Sequence, residues 1–246
     1  MPTAPLLETT DDGLACPAGG FHVDPWRPVR RAVITHAHAD HARPGADRYL
    51  AARSAHALLR LRLGAGAHID TLPFGEPVVQ NGVEITLFPA GHVLGSTQVR
   101  LRRVSPGPGD DARTWVVSGD YKRARDPTAE TFETVPCDVF ITESTFGLPI
   151  YRWPDPADVE RELNTWWRDA QAAGRTAVVY TYALGKAQRL LAMLDRSTGP
   201  ILVHGAVDRL LPPYRDAGVD LPRTARANAD NAKPARGKAL VVAPPS

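Results

Sequence analysis

Three histidines and an aspartate fall within six residues, His36-Ala37-His38-Ala39-Asp40-His41, one residue after the apolar run Ala32-Val33-Ile34. Neutral imidazole and carboxylate are side chains that grip first-row divalent metals. Alternate residues of an extended segment point the same way, so His36 and His38 can address one ion together. The chain must then turn, and adjacent Asp40 and His41 can address a second ion beside it. The alanines between the ligands leave room for solvent and substrate. Two later segments add to the set. Gly91-His92-Val93-Leu94-Gly95-Ser96 places a histidine on a glycine-flanked loop, and Ser118-Gly119-Asp120-Tyr121 places an aspartate just beyond an apolar run. Alone, each reads as an ordinary turn. Their weight comes from following the histidine cluster in this order.

Such side chains need a rigid frame, and sheets present ligands from the loops at strand ends. Short strands are expected at 21–24, 31–35, 83–89, 97–102, 114–118 and 138–142. Val83-Glu84-Ile85-Thr86-Leu87 alternates apolar and polar, the period of a half-buried strand. One helix is expected within 51–63, and the Pro/Gly/Asp run at 105–111 reads as a loop. After Gly147 the texture changes. Asp155 can cap a helix that has Pro156 at its first position, and Gly174 follows its end. Val159, Leu163, Trp166, Trp167 and Ala170 recur at helical spacing, which predicts both tryptophans in the core or at an interface. Strand (176–181), helix (184–195), strand (200–203) and helix (206–217) then alternate, predicting a parallel sheet. A polar stretch, 223–237, leads to a last strand at 239–243. The fold class is therefore α/β.

Composition sets limits. The 246 residues are 43% hydrophobic and 23% charged, ordinary values for a globular chain. No stretch approaches the roughly 20 apolar residues of a membrane helix. Glu8, Asp11 and Asp12 stand where a secretory signal would be basic and then apolar, so a cytoplasmic address is the expectation. The net charge of +2 announces no nucleic-acid binder by itself. Only four of the 29 basic residues are lysine, and arginine suits bidentate phosphate contacts. Cys16 and Cys137 form no C-x-x-C pair, which argues against a disulfide framework or a cysteine zinc site.

The order His36-x-His38-x-Asp40-His41, Gly91-His92, Gly119-Asp120 resembles the metallo-β-lactamase fold, an αββα sandwich. Phe140-Ile141-Thr142-Glu143-Ser144-Thr145-Phe146-Gly147 resembles the E-S-T-[FY]-G signature of nucleases with a β-CASP cap. Tyr182-Ala183-Leu184-Gly185-Lys186-Ala187-Gln188-Arg189 resembles the cap's A-L-G-[RK]-A-Q segment. With His204-Gly205-Ala206-Val207, the whole is most similar to bacterial ligase-associated DNA exonucleases, also labelled mRNA 3′-end processing factor-like exonucleases.

That resemblance implies a metallo-β-lactamase domain over residues 1–149 and an incomplete α/β cap over 150–246. It implies that His36, His38 and His92 hold one metal, that Asp40 and His41 hold the second, and that Asp120 bridges them. Asp24 matches an early strand-end aspartate that braces the histidine loop, although an Asp-Pro turn explains it as well. The implied activity is metal-dependent phosphodiester hydrolysis by hydroxide attack on phosphorus, trimming DNA ends in repair. The metals are two zinc ions, with manganese as the alternative. Asp40, Asp120 and Glu143 are the expected catalytic carboxylates, and Lys122, Arg123 and Lys186 the expected nucleic-acid contacts, with a basic group at Arg100, Arg102 and Arg103 nearby. DNA is the expected substrate and a DNA ligase or helicase the partner implied by the family. The family places a further histidine after the cap, and none follows His204, so the second ligand set is incomplete and a truncated chain is expected. The alternatives are an RNA-processing nuclease using the same metals and a non-catalytic nucleic-acid-binding remnant.

Overall fold

A computed structural model describes residues 4–245; residues 1–3 and 246, the outermost ends of the two expected domains, lie outside it. The chain divides into two compact units, one running to Glu143 and the other beginning at Ser144. The division falls inside the Glu143-Ser144-Thr145-Phe146-Gly147 motif.

The first unit contains β1 (Glu8–Thr10), β2 (Gly13–Cys16), β3 (Phe21–Val23), β4 (Arg31–Val33), β5 (Arg48–Ala52), α1 (His56–Leu63), β6 (Ile69–Leu72), β7 (Pro77–Gln80), β8 (Val83–Pro89), β9 (Thr97–Arg103), β10 (Trp115–Val117) and β11 (Val139–Ile141). Strands β1 to β6 form one sheet in chain order, antiparallel up to β3 and parallel from there. The other sheet has the order β11-β10-β9-β8-β7, with only the β10–β11 pair parallel. One apolar cluster joins the two. Phe21, Val23, Val33 and Ala52 of the first sheet pack with Val83, Ile85, Leu87, Val99, Leu101 and Val117 of the second. Val83, Ile85 and Leu87 are fully buried, as the alternation of that segment requires. Each such side chain contributes roughly 1.5–3 kcal/mol by leaving water. The ends of this sandwich are consequently stiff enough to hold polar side chains in place.

The second unit contains α2 (Pro156–Ala172), β12 (Ala177–Tyr180), α3 (Lys186–Ala192), β13 (Ile201–Val203), α4 (Gly205–Asp208), α5 (Leu211–Asp216), β14 (Ala225–Arg226), α6 (Ala229–Ala235) and β15 (Leu240–Ala243). Its four-stranded sheet has the order β12-β15-β13-β14 and is parallel throughout. Asp155 caps α2 by accepting the Ala157 amide at 2.8 Å.

Three expectations need correcting here. Trp167 is fully buried, but its neighbour Trp166 is 42% exposed. Successive helical residues differ by about 100° around the axis, so one core-facing stripe cannot hold both. The helix expected over 206–217 is two short pieces, α4 and α5, because Pro212 and Pro213 have no amide hydrogen to continue the first. The polar stretch 223–237 contains α6, started by Asn228, whose side chain accepts the Asp230 and Asn231 amides at 2.9 Å. Among the described residues no helix is long and apolar enough to cross a membrane.

Candidate metal centre

Strand β4 ends at Val33, and the chain after it is pinned before it reaches the histidines. Asp24, just past β3, accepts the Thr35 amide at 2.8 Å and the Thr35 hydroxyl at 2.5 Å. It also meets Nδ1 of His41 at 2.7 Å. Asp24 adopts φ +44°, a left-handed conformation tolerated best by glycine, asparagine and aspartate. One carboxylate thus ties the start of the histidine loop to its end. The strand-end brace, and not a simple Asp-Pro turn, describes Asp24.

His36 is completely buried, and its Nδ1 lies 3.1 Å from the Thr35 hydroxyl. Its Nε2 faces the other way, 3.0 Å from Nδ1 of His38. Beyond β8, the His92 loop is shaped by Ser96, whose hydroxyl accepts the amides of His92 and Val93 at 3.0 and 3.2 Å. Gly91 has φ +73°, and a Cβ there would stand 2.3 Å from the Lys122 carbonyl, so only glycine fits. This loop brings Nε2 of His92 to 3.2 Å from Nδ1 of His38. Beyond β10, Gly119 has φ +56° and packs so tightly on Thr35 that a Cβ would lie 2.6 Å from the threonine Cβ. Asp120 follows. Its Oδ2 lies 3.7 Å from Nε2 of His36 and 3.6 Å from Nε2 of His92.

Four ligand atoms from three separate loops therefore converge, all within 4.8 Å of one another. Tetrahedral bonds of about 2.0–2.1 Å put neighbouring ligand atoms roughly 3.3–3.4 Å apart. The four measured separations bracket that spacing. The donor set fits a divalent metal ion.

The other oxygen of Asp120, Oδ1, lies 3.4 Å from Nε2 of His41, and that nitrogen lies 3.7 Å from Oδ2 of Asp40. Asp120 accordingly stands between two donor groups, one oxygen turned to each. The groups differ in openness: Asp40 is 72% exposed, whereas His36 is sealed.

The protonation states follow this arrangement. Burial holds His36 well below its ordinary value, and the charge that His41, His38 and His92 carry when protonated adds to the effect. Burial, and then His38, depresses His92 to about 4. Neutral imidazoles with free lone pairs are the form a metal requires. Burial also pushes His41 down, but hydrogen bonds and charge from Asp120 and Asp24 outweigh it and raise His41 to about 10. The hydrogen bond from His41 leads in keeping Asp120 below the usual carboxylate range.

The remaining predicted residues are placed differently. Glu143 follows β11, half-buried, near enough for its charge to raise His92. Lys122 gives its ammonium to buried Asp126 at 2.6 Å, so it serves an internal ion pair. Arg123 is exposed. Lys186 is exposed in the second unit, its ammonium 4.8 Å from the centre of the Tyr182 ring. The basic group Arg100, Arg102 and Arg103 is already engaged, the first two by Glu84 and the third by Asp110. His204 caps α4 by accepting the Ala206 amide. Thr35 and Ser96 were given no role from sequence, since threonine and serine are common in every loop; only the fold shows them holding the ligand loops.

No family model matches the chain. It is 33% identical over 211 residues to a protein of Opitutus terrae named probable DNA ligase, covering 85% of this chain and 20% of that protein. It is 34% identical over 132 residues to endoribonuclease ysh1 of Aspergillus fumigatus, covering 52% of this chain and 14% of the relative. It is 31% identical over 131 residues to cleavage and polyadenylation specificity factor subunit 3 of Dictyostelium discoideum, covering 52% and 16%. The chain thus spans a fifth or less of the length of these curated relatives. Among solved structures, a protein of unknown function from Enterococcus faecalis shares the fold, with TM-score 0.54 at 12% identity over 86% of this chain and 58% of that one. Fold and histidine–aspartate cluster define a metallo-β-lactamase-type protein. These relatives and the Glu143-Ser144-Thr145-Phe146-Gly147 motif support a place for the chain in the β-CASP nuclease branch of that family.

Proposed function

We propose that the chain is the metal-bearing part of a phosphodiesterase that trims DNA ends, a DNA exonuclease of repair and end processing. The supporting observation is the reach of the likeness. The match to the probable DNA ligase runs over 211 residues, more than the first unit contains, whereas the matches to endoribonucleases run over about half the chain. In this reading the first unit is the metallo-β-lactamase domain and the second belongs to the cap. A ligase or helicase partner and a cytoplasmic address belong to the same reading.

His36, His38, His92 and one oxygen of Asp120 would hold one cation, and Asp40, His41 and the other Asp120 oxygen would contribute to a second. When bound, such cations neutralise charge on phosphate oxygens and acidify water. Three imidazoles favour zinc over magnesium, and the two aspartates leave manganese as the alternative. The chain's own part is positioning. Asp24 and Thr35 fix the ring faces of His41 and His36, which sets which nitrogen of each points inward. Glu143, whose charge acts on His92, is the carboxylate that would orient it or hold a proton. Arg123 is free to meet a phosphate, a contact that positions the strand without reading bases. Lys186 has the same role in the second unit.

The test is a competition between end-labelled DNA and RNA with zinc or manganese present. The reading expects DNA ends to shorten and His36→Ala to abolish the shortening. Cleavage of RNA with DNA untouched would instead support the RNA-processing reading, which the endoribonuclease and polyadenylation-factor relatives favour. Oligonucleotide binding without any cleavage would support the non-catalytic one.

A further inference from the structure

We propose that Tyr151, Trp153 and Phe146 of the second unit form a slot for one unpaired nucleobase, so that this unit grips single-stranded nucleic acid. The inference rests on nucleic acid being the substrate. Phe146 packs against both other rings while all three remain exposed, Trp153 at 69%, Phe146 at 52% and Tyr151 at 43%. The Tyr151 and Trp153 rings lie within 10° of parallel with centroids 6.5 Å apart. Bases stack at about 3.4 Å, so one base between two rings needs a separation of roughly 6.8 Å. Phe146 stands nearly perpendicular to both, at 82° and 89°, with centroids 5.1 and 5.0 Å away, and closes one side.

The backbone holds these rings in place. Pro149 and Pro154 restrict the segment on both sides, and a residue preceding proline, here Trp153, is biased toward extended backbone. The Tyr151 amide bonds the Leu148 carbonyl at 3.2 Å, a turn that sets the first ring. Exposed Arg152, between the two parallel rings in sequence, supplies a cation for the adjoining phosphate. Aromatic rings with a nearby cation are how proteins hold single strands without reading their sequence. A paired base cannot enter such a slot. Leu148 and Ile150 are exposed beside it and would suit a protein partner, so the test includes that outcome.

The experiment is anisotropy of labelled, cleavage-resistant phosphorothioate oligothymidylate and oligouridylate with the chain as purified, beside a blunt duplex. Single strands of either sugar should bind, and Trp153→Ala or Tyr151→Ala should weaken them roughly 5- to 150-fold. Trp153→Phe should recover most of the affinity, while the duplex should not respond to these changes. Equal single-strand binding by native and alanine variants with unchanged circular dichroism overturns the slot. So does sedimentation showing self-association that Trp153→Ala abolishes, with no response to oligonucleotide. Because binding is read without cleavage, intact end-trimming in a slot variant with unaltered binding sinks the slot alone. Slot-dependent binding with no cleavage sinks the exonuclease reading alone.

Discussion

The two ends of β10 each carry an aspartate, and the pair is instructive. Asp111, before the strand, is 1% exposed and fully satisfied within the chain. It accepts the Arg113 amide, both arms of the Arg113 guanidinium and the Trp115 indole, at 2.9–3.0 Å. Asp120, after the strand, faces His36, His41 and His92. Among the described residues neither a guanidinium nor an ammonium pairs with it. Both carboxyls are held low, Asp111 at about 2 by the Arg113 hydrogen bonds and Asp120 by His41 first. The first has a permanent cation of the chain's own and acts as a fastener. The second is aimed, with the neutral imidazoles of His36 and His92, at a point that no guanidinium or ammonium fills, and its charged neighbour is the titratable His41; that is the signature of a site built for a diffusible cation.

The contrast can be broken most severely at Asp120. Asp120→Ala should remove a donor from both groups and abolish tight zinc uptake and end cleavage, with the melting temperature of the metal-free chain close to native. Elemental analysis beside a thermal melt checks both halves. Thr35→Val, which removes the hydroxyl beside His36 and one of the two bonds to Asp24 while keeping the amide one, should weaken metal affinity about 10- to 100-fold, the usual cost of losing an outer partner. A competition titration against a chelating dye reads it. Asp111→Asn should do the reverse, leaving metal uptake alone while costing about 1–3 kcal/mol in denaturant unfolding, because the charge facing Arg113 is lost and one of the two acceptor oxygens becomes a donor.

The same fastener gives a pH dependence. A carboxyl lowered on folding stabilises fully above its unfolded value, near 3.9, and stops doing so as the pH falls through its folded one. The Asp111 contribution should therefore fade between about pH 4 and pH 2. Melts over that range should be flatter in Asp111→Asn. The smallest effect concerns the basic residues. Lys122→Ala should lower stability by removing the cation paired with buried Asp126, whereas Arg123→Ala should leave stability unchanged, weaken oligonucleotide binding modestly and flatten its salt dependence.

Much of this was legible in the letters. The ligand set clusters in sequence because one strand end supplies three histidines and an aspartate, and β8 announces itself by strict alternation. Strands β1, β2, β6 and β7 do not stand out in the sequence: each has three or four residues and, unlike the equally short β4, β10 and β11, none leads into a recognisable ligand or Glu-Ser-Thr motif. Strand β5 was partly absorbed into the expected helix, since Ala51 and Ala52 carry no preference strong enough to separate strand from helix. Lys122 looked like a phosphate contact because its partner, Asp126, is recognisable only once the loop after β10 has folded. Gly119 illustrates the remaining limit. It reads as a turn residue, yet its need for glycine comes from Thr35, far away in sequence.

The claim beneath all of this is that His36, His38, His92 and Asp120 form a cation site. Calorimetric titration of zinc into the chelator-stripped chain tests it directly. The account predicts saturable, tight binding that His36→Ala eliminates. Absence of binding, or binding that His36→Ala leaves untouched, would contradict it.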